Sequence, residues 1–181
     1  IIIRPYGVAI SSIDYKDVLF HTKTQINFTK NESNLGSEFL DEIGLKEDDK
    51  FICIISRDST YKKTFQGHLK KDWSYHSYRN SSIENYKPVA YELANKGYWV
   101  FRMGKGVTGS FDFEHDRIID YANSNFRSDF LDIFLFANCY FTIGGEAGII
   151  TTPLAFRKPV CYVSKATVSY THLRAHETRG N

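Results

Sequence analysis

The sequence predicts an α/β domain, a parallel sheet flanked by helices, and three observations carry that expectation. The first is FICIIS (residues 51–56), a continuous apolar run after a charged turn, which reads as a strand buried on both faces. The second is YWVF (residues 98–101), a further run of the same kind. An arginine follows each of the two, Arg57 in one case and Arg102 in the other, so two parallel strands would deliver both to one edge of the sheet. The third is NCYFTIGGEAGIITTPLAFRKPVCYV (residues 138–163), which reads as strand, glycine turn, helix and strand, a single right-handed crossover. Parallel sheets hold ligands outside the carboxyl ends of their strands, and anions at helix N-termini there.

Residues 1–50 are the least patterned. A short helix is expected over 36–43, with Ser37 able to cap it and Gly44 to stop it, while 25–34 read as polar and irregular. After the strand at 51–56, Arg57 and Asp58 stand at the rim of the sheet. Residues 61–82 are rich in Lys, His, Tyr and Ser without a clean period and read as a loop, at whose end lie Tyr75, His76, Tyr78 and Arg79. A helix follows over 83–96, capped by Ser81 or Ser82, with Ile83, Tyr86, Val89 or Ala90, and Leu93 or Ala94 on one stripe and Pro88 marking where its regular part begins.

Beyond the strand at 98–101, Lys105 adds a third cation near the same edge, in a glycine-rich stretch. Gly104, Gly106 and Gly109 do not make a phosphate loop, because GKGVTG lacks the Lys-Ser/Thr ending and no helix follows at once. Residues 117–121 read as a short strand, and Ser128 or Asp129 caps an apolar helix through 136, whose Asp129 and Asp132 suit the helix dipole. The final crossover presents Gly144, Gly145, Glu146, Ala147 and Gly148 between strand and helix. Small residues there let a ligand approach backbone N–H groups, as a diphosphate or a ribose would, and Glu146 can accept hydrogen bonds from sugar hydroxyls.

The 181 residues suffice for one sizeable core, and 42% hydrophobic with 15% aromatic content fits a folded domain. A formal net charge of +2 gives no argument for nucleic acid. No apolar run approaches the roughly 18 residues of a membrane span. Cys53, Cys139 and Cys161 each fall in an expected strand, which points to buried free thiols, a reducing compartment and a cytoplasmic location. No CxxC spacing or histidine grouping supports a metal.

Several blocks carry a family likeness. RDSTY (57–61), YHSYRNSSIENY (75–86), YWVFRMG (98–104), IIDYANSNFRSDFLD (118–132) and FTIGGEAGIITTPLAFRKPV (141–160), taken in order, resemble a family of bacterial glycosyltransferases often linked to surface-polysaccharide genes. The resemblance implies a Rossmann-like, GT-B-type nucleotide-sugar-binding half over 51–163, with 1–50 a linker or part of an acceptor-binding half and the chain truncated at both ends. By likeness to fucosyltransferase-like enzymes, Arg57 would contact the donor diphosphate. VSYTHLRAHET (168–178) is similar to the translation of a transposase-type sequencing adapter. Residues 168–181 of the tail 164–181 are therefore expected to be artefactual, and His172, His176 and Glu177 are excluded from any site.

The expected reaction is transfer of a sugar from a nucleoside diphosphate sugar to a carbohydrate or lipid-linked acceptor. Negative charge grows on the leaving diphosphate, so cations and N–H donors lower the barrier there. Arg57, Arg102, Lys105 and Arg79 are the candidate cations, with Asp58 beside them at the rim. The backbone at Gly144, Gly145, Ala147 and Gly148 offers the donors, and Glu146 the hydroxyl contacts. No metal or other cofactor is expected, since Asp112-Phe113-Glu114 departs from a DxD pair. The acceptor base is open among His76, Asp58 and a residue of the missing N-terminal half of the same chain. A nucleotide-sugar epimerase and a non-catalytic carbohydrate- or nucleotide-binding domain are the alternatives.

Overall fold

Four of the apolar runs become neighbouring strands of one five-stranded sheet in the order β3-β2-β1-β4-β5, every pair parallel. The structure is a computed structural model, and it describes residues 21–66, 77, 80–145 and 147–163. The strands are β1 (Phe51–Ile55), β2 (Trp99–Arg102), β3 (Ile118–Ile119), β4 (Phe141–Gly144) and β5 (Val160–Tyr162). β1 is buried along its whole length because helices cover both faces, which is why its sequence does not alternate.

The helices are α1 (Lys30–Glu42), α2 (Thr60–Gln66), α3 (Lys87–Asn95), α4 (Asp129–Asn138) and α5 (Thr151–Ala155). On one face Ile52, Ile54 and Val100 pack with Tyr86, Ala90 and Ala94 of the α3 region and with Phe111. On the other, Cys53, Ile55, Phe101 and Met103 pack with Phe39 of α1 and with Leu131, Phe134 and Leu135 of α4.

Several local expectations need correction. The first helix begins at Lys30, not near 36, so the second half of the segment read as irregular is helical. Its signal is the pair Thr29 and Glu32: the Thr29 hydroxyl accepts from the Glu32 N–H while the Glu32 carboxylate accepts from the Thr29 N–H, a complete capping box. The expected loop after β1 opens with α2, and residues 67–76 and 78–79 of that stretch, His76 and Arg79 among them, lie outside the described residues, as does Glu146. Residues 83–86 form a 3-10 turn and the α-helix starts at Lys87, with Pro88 in its first turn where no N–H is needed. The last crossover is likewise divided, into a 3-10 turn (Gly148–Ile150) and α5. Cys139 is not in a strand; it is the buried residue closing α4. Ser128 caps α4, its hydroxyl accepting from the Leu131 N–H at 3.1 Å.

The region before β1 packs on this same sheet. α1 crosses α4 at Gly36, where an added Cβ would lie 2.2 Å from the Phe134 ring. Gly36→Ala is therefore expected to destabilise the fold by about 1–3 kcal/mol through overpacking, read as a lower urea midpoint. An unchanged midpoint would show that the two helices can separate freely. Further upstream, Phe28 stacks on Phe156 at 5.5 Å, and Arg157, at φ 60°, donates to the Thr22 carbonyl at 3.0 Å and to the Ala155 carbonyl at 2.9 Å. Residues 22–28 are thus strapped across the end of α5.

Candidate functional site

From β1 the chain moves to β2 and β3 on one side, then crosses back through α4 to β4 and β5 on the other. The crevice above β1 and β4 is the point where the strand order reverses, the position at which open parallel sheets hold their ligands. A cavity of about 470 Å³ lies there. Its walls come from four places: Ile55 to Asp58 at the end of β1, Gly104, Lys105 and Val107 after β2, Ala147 to Ile149 after β4, and Arg127, Asp129, Asp132, Ile133 and Phe136 before and along α4. Tyr61 of α2 completes the rim.

The turn after β1 is held in place by its own polar groups. Arg57 lines the cavity, and its Nη1 donates to the Asn80 side-chain oxygen at 3.1 Å while its carbonyl accepts from the Ser81 N–H at 2.9 Å. Asp58 is a strut. One carboxylate oxygen accepts from the Thr60 N–H at 2.8 Å, and the other from the N–H and hydroxyl of Thr108 at 3.0 and 3.1 Å, tying the β1 turn to the loop after β2. That loop needs its glycines. Gly104 and Gly106 have φ of 150° and 58°, and a Cβ on either would meet Val107 or the Phe65 ring closer than atoms allow.

Arg102 has a different place from Arg57. It lies opposite Ile54 in the sheet register, so its side chain projects to the α3 face, whereas the cavity opens beside Ile55 on the α4 face. Its guanidinium is 1% exposed and holds the loop from below. Nη1 donates to the Gly109 carbonyl at 2.7 Å and to Asp120 at 3.2 Å, and Nη2 to the Thr108 carbonyl at 2.8 Å. Arg102 does not line the cavity.

The glycines of the β4 turn divide in the same way. Gly144 faces Ile55 across β1 and β4, where a Cβ would sit 2.7 Å from the Ile55 carbonyl oxygen, so its missing side chain serves strand packing. Neither Gly144 nor Gly145 lines the cavity; Ala147 and Gly148 do, and nothing lies within 4 Å of a Cβ placed at Gly148.

Four charged residues converge at the mouth of α4. Lys105 Nζ donates to both oxygens of Asp129, at 2.9 and 3.2 Å. Arg127 Nη2 donates to Asp129 and to Asp132, each at 2.5 Å. The two aspartates share a face because they are three residues apart on one helix. Lys105, then Arg127, holds the Asp129 carboxyl below the usual carboxylate range. Burial pushes the Asp132 carboxyl up, against the opposing pull of Arg127. Asp132 Oδ1 and Arg127 Nε are buried with no hydrogen-bond partner among the described residues. Tyr121 fixes the start of α4: its hydroxyl donates to the Ser128 carbonyl and accepts from the Ser128 N–H, and burial raises its phenol well above the ordinary value.

Sequence reasoning missed Arg127 as a site residue and read the two aspartates only through the helix dipole. The signal was RSDFLD: a basic residue before the cap, then carboxylates three apart, on a helix that leads into β4 and so starts at the carboxyl edge of the sheet. A second hollow of about 340 Å³ lies beside β3, with Asp112, Glu114 and Asp120 as its charged lining. Among the described residues no three His, Cys, Asp or Glu side chains are grouped to hold a metal ion, and no helix is long and apolar enough to cross a membrane.

No family model matches the chain, and no curated protein matches it in sequence. Among solved structures, E. coli ADP-heptose LPS heptosyltransferase II is similar, with a TM-score of 0.50 at 12% identity over 76% of this chain and 38% of that one. A dodecameric iron-containing heptosyltransferase, TibC, in complex with ADP-D-β-D-heptose, aligns at 16% identity with a TM-score of 0.38, over 67% of this chain and 29% of that one. The chain thus spans 38% of the length of the first of these proteins. At such identity the likeness is one of fold: a Rossmann-like, GT-B-type parallel sheet flanked by helices.

Proposed function

We propose that the chain is the donor-binding half of a glycosyltransferase that moves a sugar from a nucleoside diphosphate sugar to a carbohydrate or lipid-linked acceptor in surface-polysaccharide synthesis. The observation that carries the reading is the cavity at the strand-order reversal, where Arg57, Lys105 and Arg127 stand in one wall set with Ala147 and Gly148 of the β4 turn. Its volume of about 470 Å³ falls within the roughly 300–1,000 Å³ of small-molecule sites. The fold likeness to E. coli ADP-heptose LPS heptosyltransferase II supports the same reading.

In this account Arg57 and Lys105 take the diphosphate oxygens and offset the charge that grows as the anomeric bond breaks. In the β4 turn the backbone of Gly148, where an added Cβ would meet nothing within 4 Å, approaches phosphate or ribose, and Glu146 accepts from hydroxyls. α5 has only five residues, so its dipole contributes less than a long helix would, and side-chain cations carry more of the stabilisation. Arg102 acts indirectly, by holding the loop that carries Lys105. Asp58 has both carboxylate oxygens engaged, which leaves His76 or a residue of an acceptor half for the acceptor proton. Arg79 completes the set of cations assigned to the donor.

The test is product analysis of the full-length protein with a panel of labelled sugar nucleotides and lipid-linked acceptors. Label in the acceptor supports transfer. An isomerised sugar nucleotide would identify an epimerase, and saturable binding without turnover a binding domain.

A further inference from the structure

The charged lining of the cavity is balanced among the described residues: Arg57, Lys105 and Arg127 face Asp58, Asp129 and Asp132. Among these six side chains a diphosphate meets no net charge unless one carboxylate gives way. The three carboxylates are not equally held. Asp58 is fixed by backbone and side-chain donors of Thr60 and Thr108, and the Asp132 side chain is only 12% exposed beneath Arg127. Asp129 is 74% exposed, yet it alone contacts both Lys105 and Arg127, cations delivered by two different segments.

We propose that Asp129 is a resident counter-ion, which holds Lys105 and Arg127 poised across the cavity and yields them to the phosphate oxygens of the incoming donor. Exposed ion pairs compete poorly with water, so releasing Asp129 costs little, while the rotamers of the two cations are kept near the ligand's position. Arg127 keeps its buried contact to Asp132 throughout and so stays aimed at the site. Asp129 is thereby a positioning residue that also sets specificity: a neutral ligand cannot displace it, and a phosphate can. This rests on the nucleotide-sugar reading above.

The test is calorimetric titration of the 181-residue chain with ADP, UDP and inorganic pyrophosphate at fixed ionic strength. The variants are Asp129→Asn, Lys105→Gln and the double variant, each checked by thermal melting. Asp129→Ser, which keeps a good helix start, replaces Asp129→Asn should the latter melt early. Removing the competing carboxylate is expected to tighten pyrophosphate and nucleotide binding by about two- to fivefold, and the gain should shrink in the Lys105→Gln background. A purely helix-stabilising Asp129 predicts unchanged or weaker binding, and that result overturns the proposal. A wild-type chain that binds none of the three ligands overturns the nucleotide-sugar reading instead. If Asp129→Asn then binds pyrophosphate, the counter-ion role stands without that reading; if it does not, both fall.

Discussion

Arg102→Ala is expected to destabilise the domain by about 3–5 kcal/mol, the range for breaking a buried ion pair by removing one partner. The guanidinium is 1% exposed and contacts Asp120 together with the carbonyls of Thr108 and Gly109. Without it, the Asp120 carboxylate keeps the Phe111 N–H at 2.8 Å and the Asn123 amide at 2.8 Å but loses its only cation among the described contacts. The Thr108 carbonyl loses its Arg102 donor as well, while the Gly109 carbonyl keeps the Asn123 amide at 3.0 Å. Arg102→Lys restores the charge but not the fork that reaches three acceptors, so an intermediate loss is expected. Urea unfolding checks both variants. A loss below about 1 kcal/mol, the size of an exposed pair, would show that the loop over β2 is held by something else.

Arg57→Ala is expected to weaken binding of a nucleoside diphosphate by about 10- to 100-fold, the equivalent of one or two hydrogen bonds to a charged group. Binding of the bare nucleoside should change little. The asymmetry follows from position: Arg57 stands at the carboxyl end of the central strand β1 and lines the cavity beside the loop that carries Lys105. Arg57→Lys should recover part of the loss, since it retains the charge without the bidentate geometry. Titrations with paired nucleoside and nucleoside diphosphate decide the matter. Equal losses for both ligands would remove Arg57 from the phosphate site.

The sheet was the most legible part of the molecule, for a physical reason. Strands covered on both faces cannot alternate, so FICII and WVF stand out as unbroken apolar or aromatic runs. What failed was parity. Arg57 and Arg102 look equivalent as residues that follow apolar runs, but β2 extends one residue further than expected and takes Arg102 into the ladder opposite Ile54. One position along a strand exchanges faces, and that turned an expected ligand contact into a structural clamp. α1 shows the opposite case: the Thr29 and Glu32 pair was visible, but a run of Lys, Asn and Ser around it obscured a helix that burial of Gly36 and Phe39 stabilises.

α2 carried little local signal, because TYKKTFQ has no apolar stripe. Its order comes from contacts made after folding, with the Tyr61 and Phe65 rings 5.1 Å apart and Lys105 lying 5.4 Å over Phe65. The site itself was half legible. Arg57, Lys105, Ala147 and Gly148 were accessible from their places at strand ends, and all four line the cavity. Arg127, Asp129 and Asp132 enter it only because the crossover from β3 to β4 brings the amino end of α4 over the carboxyl edge of β1, a relation between distant segments.

The central claim is that a nucleoside diphosphate binds where the strand order reverses. Amide hydrogen exchange with and without a saturating nucleoside diphosphate tests it most directly, because the cavity walls come from separate stretches of chain. Protection is predicted at residues 104–107 and 147–149 together, along with the turn at 56–58, and little change at the amino ends of the strands. Absence of protection in those three stretches despite measurable binding, or protection confined to the acidic hollow at residues 111–120, would contradict the account.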